Sequence, residues 1–441
     1  MKYHVWTEGC QMNVADSRQL SSSLEKLGYE YTSSIESADV IVLNTCVVRQ
    51  SAENKAIGRL SSLKPLKEKN PGLVINLMGC LIGINGNDHV KQKFPWVDVF
   101  SPPSDPRPLL EFLVQTPGKV EAQFWRQDID DILDEEFILP TQQTGHLISA
   151  NLPIVLGCSH ACAYCVIPHK RGKEVSRPAD DIIKEAHALV SQGVREIVLL
   201  GQIVDRYGLD LDQSVLLNGL LEQLSIIPDL YRIRFLTSHP NWMTDNLINA
   251  VASLPKVMPH IEVPIQAGDD EILKAMKRGY TSRDYRNLIQ KLRDRIPGLS
   301  IGTDIIVGFP GETEIQFQNT YDLLAELKMD VAHLARYSPR PGTYSARFLV
   351  DDVTDKEKLR RFRILEDLQE KISAEINSNY LNKQVKVLFE GRSKNRWRGR
   401  TTTNKLVFVE SSEELLGQER LVKINWTGPW SMLGELVYQP G

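Results

Sequence analysis

Long apolar runs, a strong charge imbalance and a dense set of cysteines are all missing from this sequence of 441 residues. Nowhere do about 18 apolar residues follow one another, as a membrane-spanning helix requires. The formal net charge of -4 does not indicate a nucleic-acid-binding protein, so such a function needs a local basic patch. Six cysteines in so long a chain exclude a disulfide-rich scaffold, and residues 1–7 carry no apolar signal core. We therefore expect the cytosol, where thiols stay reduced.

Three of the cysteines stand close together. Cys158, Cys162 and Cys165 fall within eight residues, directly after an apolar run, and no fourth cysteine follows nearby. A structural zinc site needs four ligands. A [4Fe–4S] cluster held by three thiolates instead keeps one iron that can bind a small molecule. The spacing therefore favours an iron–sulfur cluster, with a zinc site and disulfides as the alternatives.

Residues 1–116 repeat a unit of strand, thiol and helix. Three apolar runs lead to Cys10, Cys46 and Cys80, and the alternation predicts a parallel α/β domain of the flavodoxin-like kind. The three thiols then fall at the carboxyl ends of their strands, the edge where open α/β sheets bind ligands. Each thiol alone could be an inert core residue. Their joint placement favours a second cluster with three protein ligands.

The pattern lapses in residues 117–147, which we interpret as an acidic linker with a solvated face. Its acidic residues are Asp128, Asp130, Asp131, Asp134, Glu135 and Glu136. Residues 148–375 alternate again and predict a partial (β/α)6 barrel, with its chemistry at the carboxyl ends of the strands. The strand candidates are 152–156, 196–200, 231–236, 260–265, 301–307 and 331–335.

Residues 376–441 change character, because short apolar runs separated by turn residues predict a small antiparallel β-barrel. This segment also contains a basic patch with one aromatic residue: Lys386, Arg392, Lys394, Arg396, Trp397, Arg398 and Arg400. Such a patch suits RNA, since phosphates need neutralising charge and bases need stacking partners. A solvated hairpin without a ligand is the alternative.

Several motifs together resemble those of the radical S-adenosylmethionine methylthiotransferases, along the whole length of the chain. They are Gly9-Cys10-Gln11-Met12-Asn13, the three-cysteine loop with the segment Arg171 to Pro178, Leu200-Gly201-Gln202, Thr237-Ser238-His239-Pro240, Val307 to Glu312 and Arg340-Pro341-Gly342-Thr343. The terminal module resembles the RNA-binding TRAM domain. Gln11-Met12-Asn13 is similar to the tRNA-modifying branch of the family, whereas the branch that modifies an aspartate of a ribosomal protein usually has Pro-Lys-Asn there.

The resemblance implies two [4Fe–4S] clusters and two molecules of S-adenosylmethionine per turnover. The cluster at Cys158, Cys162 and Cys165 would cleave S-adenosylmethionine, while the cluster at the other three cysteines would carry the sulfur. The substrate would be a tRNA adenosine, modified at C2 beside the anticodon. A reducing electron donor is required, no membrane is involved, and we expect a monomer.

The resemblance also implies cofactor contacts for Tyr164, Gly201, Gln202, Gly308 and Gly311. For the tyrosine a core position is the alternative, and for Gly201 a tight turn.

The residues after the cluster loop and two histidines at strand ends have open roles. Arg171, Glu174 and Arg177 could contact substrate or cofactor, or form surface salt bridges. For His239 and His260 a hydrogen-bonded structural role is favoured. Two rival functions remain: a non-catalytic iron–sulfur sensor that binds RNA, and methylthiolation of the ribosomal protein.

Overall fold

The computed structural model describes residues 1–48, 50–86, 88–121, 124, 128–134, 136–212 and 215–438. The chain divides into two compact units. The first contains residues 1–144, 151–160 and 165–192, and the second contains residues 145–150, 161–164 and 193–441. Within the described part of the chain, every helix is too short or too polar to span a bilayer.

The elements alternate over most of the chain. The described strands are β1 (Lys2–Thr7), β2 (Glu30–Tyr31), β3 (Val40–Thr45), β4 (Val74–Gly79), β5 (Val99–Ser101), β6 (Ser149–Pro153), β7 (Val155–Leu156), β8 (Val175–Ser176), β9 (Glu196–Leu200), β10 (Arg232–Phe235), β11 (His260–Glu262), β12 (Ser300–Val307), β13 (Val331–Arg336), β14 (Gln384–Ser393), β15 (Arg396–Thr401), β16 (Leu406–Val409), β17 (Glu419–Thr427) and β18 (Met432–Leu436). The described α-helices are α1 (Gln11–Lys26), α2 (Gln50–Lys69), α3 (Asp88–Lys93), α4 (Arg107–Gln115), α5 (Ile129–Asp134), α6 (Ile167–Arg171), α7 (Ala179–Ser191), α8 (Leu217–Ser225), α9 (Asp245–Ser253), α10 (Asp270–Ala275), α11 (Ser282–Arg295), α12 (Glu314–Leu327), α13 (Tyr344–Phe348) and α14 (Asp355–Ser378).

The N-terminal sheet has the order β2-β1-β3-β4-β5, and its neighbouring strands run parallel. The prediction of a flavodoxin-like parallel domain is therefore confirmed. The central strands β3 and β4 are buried along their whole length, as expected for parallel strands covered on both faces. Val40 and Val42 face one hydrophobic core, while Ile41 and Leu43 face the other. This alternation follows from the two-residue period of a strand.

The predicted linker contains a short helix. Ile129 and Ile132 of α5 join the core formed with α1 and α4. Of the acidic run, Asp128, Asp130, Asp131 and Glu136 are exposed, and Glu135 lies outside the described residues.

Two three-stranded sheets follow, in the orders β10-β9-β6 and β11-β12-β13. Strand β9 runs parallel to β10, and β12 runs parallel to both of its neighbours. The carboxyl ends of β10 and β11 are joined by the amide of Ser238, which donates to the carbonyl of Glu262 at 3.0 Å. The strands thus lie side by side in chain order, as a partial (β/α)6 barrel predicts.

The first barrel strand differs from the prediction of 152–156. The chain forms β6 at Ser149–Pro153 and then a separate antiparallel pair between β7 and β8. Pro153 has no amide hydrogen to continue a ladder, so the strand ends there.

The C-terminal strands close into a barrel of order β14-β15-β16-β18-β17. Most neighbouring pairs are antiparallel, as predicted, but β16 and β18 run parallel, with Val407 opposite Met432. The apolar core of this barrel includes Phe389, Trp397 and Ile424. The predicted small C-terminal barrel is therefore confirmed, with one parallel contact that the turn spacing does not reveal.

Candidate functional site

Cys10, Cys46 and Cys80 follow the carboxyl ends of β1, β3 and β4. These three strands are direct neighbours in the sheet, so their ends open at one edge. The main-chain amide of Cys80 donates to the carbonyl of Thr45 at 2.9 Å, next to Cys46. A side chain at Gly9 would come within 2.8 Å of the Cβ atom of Cys46. The structure therefore brings these thiols to a single place in the first unit.

Two buried asparagines connect the loops that carry Cys10 and Cys46. Asn13 Nδ2 donates to Asn44 Oδ1 at 2.7 Å and to the carbonyl of Thr45 at 3.2 Å. Asn44 Nδ2 donates back to the carbonyl of Asn13 at 2.9 Å. Cys10 Sγ donates to Asn13 Oδ1 at 3.2 Å. Because buried amides need partners, this network fixes how the loops after β1 and β3 meet.

The thiols of this site influence one another. The pKa of Cys80 is raised to about 11, mainly by burial and in smaller part by Cys46 and Cys10. Arg171 acts in the opposite direction, because its positive charge favours the thiolate. A buried thiol of this kind stays protonated at neutral pH unless a metal or a cation stabilises its thiolate.

The second set of thiols lies in the loop between β7 and α6. Cys158 is buried, whereas Cys162 and Cys165 are half-buried. The amide of Cys158 donates to the carbonyl of Gly172 at 3.0 Å. Gly157, at a φ of +69°, leaves no room for a side chain, because a Cβ atom there would overlap the carbonyl group of Lys173. The start of the loop is thus held by close backbone contact.

Arg278 contacts Cys162 within the second unit. Its Nη1 donates to Cys162 Sγ at 3.1 Å, and its Nε donates to the hydroxyl of Tyr280 at 2.9 Å. Its Nη2 donates to the carbonyl of Pro264 at 3.1 Å. The guanidinium is buried, so its position is set by these acceptors. The sequence analysis missed this residue, since a single arginine between Lys277 and Gly279 carries no local signal.

Tyr164 is half-buried and packs edge-on against Phe309, with ring centroids 6.5 Å apart. Phe309 follows Gly308 directly after β12, so the structure brings two of the predicted cofactor residues into the same neighbourhood. Gly308 is required by packing within the chain, because a Cβ atom there would overlap the side chain of Lys358. A Cβ atom at Gly311 would meet no other atom within 4 Å. Close approach of a cofactor is therefore sterically easier at Gly311 than at Gly308.

Glu312 follows β12, and Gly201 and Gln202 follow β9, in the same unit. Glu312 Oε2 accepts from the amide of Gly308 and from Arg361 Nη1, both at 2.7 Å. Burial raises the pKa of Glu312, against the effect of Arg361. Gly201 is buried and Gln202 is half-buried, immediately beyond β9.

The residues with open roles differ in their surroundings. Arg177 Nη2 pairs with Glu185 at 2.7 Å, so the salt-bridge interpretation fits it. The amide of Glu174 donates to Ser159 Oγ at 3.1 Å, which ties its strand to the cysteine loop. His260 is buried, with Nδ1 3.2 Å from Ser300 Oγ. His239 Nδ1 accepts from the amide of Asn241 at 3.3 Å. Both histidines are thus hydrogen-bonded within the chain through Nδ1, and their structural role stays a prediction.

Arg171 is buried rather than exposed. Its Nη2 pairs with Asp16 Oδ2 at 3.1 Å, and the two side chains are only 3% and 2% exposed. A surface salt bridge therefore does not describe this position. Asp16 is a second residue that the sequence analysis missed, because one carboxylate in the first turns of a helix carries no local signal of its partner.

The basic patch forms the β14–β15 hairpin. Burial alternates along β15, with Arg396 and Arg398 exposed, Trp397 and Gly399 buried and Arg400 half-buried. This alternation was the sequence signal for a strand that the sequence analysis did not assign. Lys386, Arg392 and Lys394 are exposed on β14 and the turn.

Acidic residues from other strands approach parts of the patch. Arg396 pairs with Glu410 at 2.8 Å, and Lys386 lies 3.7 Å from Glu419. Trp397 is only 3% exposed, and Arg392 covers its ring at 4.3 Å from the centroid. Little of that ring remains for stacking on a base. Trp426 and Trp430 are 50% and 58% exposed on the same barrel.

The donor chemistry at both sets of thiols fits iron–sulfur clusters. All six cysteines are present as thiols. In the described residues, no group of three or more His, Cys, Asp or Glu side chains could hold a metal ion. In a four-iron cluster each thiolate binds a different iron, so its thiolates stand farther apart than the ligands of one ion.

Comparison with known proteins agrees with this chemistry. The Radical SAM superfamily matches residues 152–324, and Uncharacterized protein family UPF0004 matches residues 2–101. The fold is similar to the radical S-adenosylmethionine methyltransferase TsrM from Kitasatospora setae, with a TM-score of 0.55, 14% identity, and coverage of 78% of this chain and 77% of that one. It is also similar to the cobalamin-dependent S-adenosylmethionine radical enzyme OxsB, with a TM-score of 0.52, 14% identity, and coverage of 82% and 56%.

The partial barrel, the three-cysteine loop and the superfamily match define a radical SAM enzyme, whose cofactors are S-adenosylmethionine and an iron–sulfur cluster. Relatives named tRNA-2-methylthio-N(6)-dimethylallyladenosine synthase match almost the whole chain. The relative from Roseiflexus sp. (strain RS-1) is 46% identical over 99% of this chain and 89% of its own. The relative from Dehalococcoides mccartyi (strain CBDB1) is 45% identical over 99% and 98%. This chain belongs to the tRNA-2-methylthio-N(6)-dimethylallyladenosine synthase family.

Proposed function

We propose that this protein transfers a methylthio group to C2 of a tRNA adenosine that carries an N6-isopentenyl group beside the anticodon, at position 37. The names of its relatives support the substrate. One structural observation carries the proposal: Cys10, Cys46 and Cys80 meet at one sheet edge, apart in sequence from the three-cysteine loop. A methylthiolating enzyme needs such a second site, because the sulfur must be held ready when the substrate carbon is activated.

Each set of residues has its own task. Cys158, Cys162 and Cys165 hold one [4Fe–4S] cluster, and the three thiols after β1, β3 and β4 hold the other. When bound, the clusters and two molecules of S-adenosylmethionine supply the radical and the methylated sulfur. Arg278 orients Cys162 by donating to its sulfur. Tyr164, Gly201, Gln202, Gly308 and Gly311 form the S-adenosylmethionine site at the carboxyl ends of the strands.

The C-terminal barrel binds the tRNA. Its exposed basic residues, Lys386, Arg392, Lys394, Arg396 and Arg398, together with half-buried Arg400, neutralise backbone phosphates. Trp426 and Trp430 offer exposed rings for unpaired loop bases. The target adenine leaves the stack of the anticodon loop to reach the S-adenosylmethionine site. This movement costs little free energy for an unpaired base.

The remaining assignments belong to the same proposal. The methylthiotransferase domain covers residues 1–116, the linker 117–147, the radical SAM core 148–375 and the RNA-binding domain 376–441. The protein acts as a monomer and takes its electrons from an external reductant.

The test uses protein whose clusters are rebuilt without oxygen. We expect about eight irons per chain, which corresponds to two [4Fe–4S] clusters. With dithionite and S-adenosylmethionine, the protein should release 5′-deoxyadenosine and add a methylthio group to isopentenylated tRNA, as measured by mass analysis of the nucleosides. Absence of 5′-deoxyadenosine would instead support a non-catalytic sensor. Cells without the protein that keep the tRNA mark but lose the mark on the ribosomal protein would overturn the choice of substrate.

A further inference from the structure

A buried arginine stands beside the thiols that follow β1, β3 and β4. Arg171 is the last residue of α6, the helix that begins just after the cysteine loop. Its Nη2 pairs with Asp16 Oδ2 at 3.1 Å and its Nη1 donates to Ser104 Oγ at 2.9 Å. Ser104 also donates to Asp16 Oδ1 at 2.7 Å. These contacts form a closed triangle, so the guanidinium is held from two sides.

Burial of this guanidinium costs free energy unless a nearby anion stabilises its charge. The side chains of Arg171 and Asp16 are 3% and 2% exposed, and replacing such a buried pair by apolar residues often raises stability. The Nε atom of Arg171 is buried and has no hydrogen-bond partner within the described part of the chain. The guanidinium also forms a hydrogen bond with the Cys80 thiol, so its donors lie beside the thiols that would hold the cluster.

The neighbouring thiols identify the chemistry of that group. Arg171 interacts electrostatically with both Cys80 and Cys10, and its charge favours the thiolate of Cys80. The amide of Ile84, four residues after Cys80, donates to the carbonyl of Lys170 at 3.0 Å, so the end of α6 contacts the loop that follows β4. Three thiolates with a [4Fe–4S] core carry net negative charge, and each one-electron reduction adds one further negative charge. A fixed, buried cation nearby offsets part of this charge.

We propose that Arg171 is a positioning residue for the cluster at Cys10, Cys46 and Cys80, held in place by Asp16 and Ser104 so that its charge makes this cluster easier to reduce. The inference rests on the proposed function, because that function supplies the second cluster. It adds a link along the chain: the segment that begins with the S-adenosylmethionine-cleaving cysteines also supplies the cation of the sulfur-carrying site.

The test isolates the second cluster in the full-length chain. The parent is the Cys158→Ala/Cys162→Ala/Cys165→Ala variant, rebuilt without oxygen, which should bind about four irons. Its midpoint potential is measured by electron paramagnetic resonance during titration with dithionite. In the parent background, Arg171→Gln should lower the equilibrium constant for one-electron reduction at least tenfold, a shift of about 59 mV to more negative potential. Arg171→Lys, which keeps the charge, should recover most of that shift.

Two further variants separate charge from folding. Asp16→Asn/Arg171→Gln removes both members of the pair, so no lone buried carboxylate contributes, and the potential should still be more negative than in the parent. Arg18→Gln is the matched control, because Arg18 is also buried on α1 but donates to Gln143 and to the carbonyl of Asn151. Its potential should equal that of the parent.

The outcomes distinguish the two proposals. A parent that binds no iron would overturn the second cluster itself, and with it the role of Arg171. In the second outcome, the parent binds about four irons while Arg171→Gln changes its equilibrium constant for reduction less than twofold. That result would overturn the role of Arg171 alone. An equal shift in Arg18→Gln would assign the effect to general loss of packing and would also overturn it.

Discussion

Single residues decide how the thiols are presented. Gly9, Gly79 and Gly157 each precede a cysteine, and each has a positive φ. Gly157 shows the reason most clearly, because the backbone at Lys173 occupies the space of a side chain. A glycine is needed where the backbone adopts a positive φ and another segment of backbone occupies the space of a side chain.

Replacing one cysteine from each set should separate two steps of the reaction. Cys80→Ala should abolish methylthiolation but leave S-adenosylmethionine cleavage, since the loop after β7 is intact. Cys162→Ala should abolish both. Release of 5′-deoxyadenosine and mass analysis of tRNA nucleosides are the measurements. If Cys80→Ala also stopped cleavage while iron at the other cluster was retained, the division of labour would be wrong.

Gly157→Ala should disrupt the cysteine loop. The new Cβ atom would overlap the carbonyl group of Lys173, and relief of that overlap shifts the loop. We expect a loss of about 1–3 kcal/mol in the free energy of unfolding from overpacking and reduced iron binding. Gly145→Ala is the control, because its φ of +73° imposes similar backbone strain while nothing lies within 4 Å. Equal iron loss in both variants would mean that backbone strain, not overlap, matters.

At the scale of elements, strand β10 joins the barrel sheet to the C-terminal strands of the same unit. Arg232 Nη1 donates to the carbonyl of Arg400 at 2.8 Å. Arg234 Nη2 donates to the carbonyl of Thr401 at 2.8 Å, while its Nε donates to Glu196 Oε2 on β9 at the same distance. Arginine suits this place because its five donors form a rigid fork.

The Glu196 ion pair should contribute stability that depends on pH. Burial raises its pKa, but Arg234 and Arg232 outweigh burial and hold the pKa below its usual value. A depressed carboxyl pKa stabilises the fold above the unfolded pKa of about 4.3, and the effect is lost as the pH falls below it. Glu196→Gln should therefore cost about 1.5–3 kcal/mol at pH 7, as for hydrogen bonds to charged groups.

Urea unfolding at several pH values measures this cost. The difference between wild type and Glu196→Gln should begin to shrink below about pH 4, because the carboxyl of the unfolded chain then takes up a proton. It should disappear once the pH falls below the depressed pKa of the folded state. Glu271→Gln, at an exposed carboxylate near Lys274, is the control and should change nothing. A constant difference from pH 7 to pH 3 would contradict the ionised state of Glu196.

At the scale of the whole molecule, the proposed chemistry and the proposed RNA binding occupy different parts of the chain. The exposed Lys394 and Arg398 lie far in sequence from every cysteine. Lys394→Glu/Arg398→Glu should weaken tRNA binding about tenfold or more and reduce its salt dependence, because phosphate contacts release counterions. Cleavage of S-adenosylmethionine without tRNA should be unchanged. Binding assays across salt concentrations provide the measurement, with the exposed Lys274→Glu as control; unchanged affinity would place the tRNA elsewhere.

The sequence by itself determined the classes of structure in this protein. Parallel sheet, partial barrel and terminal barrel follow from local patterns of apolar residues and turns, and the three-cysteine loop is contained in eight consecutive residues. Such features are readable because their determinants are neighbours along the chain. The alternation of exposed and buried residues along β15 is a local signal of the same kind.

Only the tertiary structure decided which distant residues meet. The order of β1, β3 and β4 places three cysteines side by side, and strand order is set by packing of whole elements rather than by spacing. Arg171 and Asp16 are 155 residues apart, and the acceptors of Arg232 come from the terminal barrel. A buried charge finds its partner through the fold, because only there do desolvation and a fixed counter-charge act together.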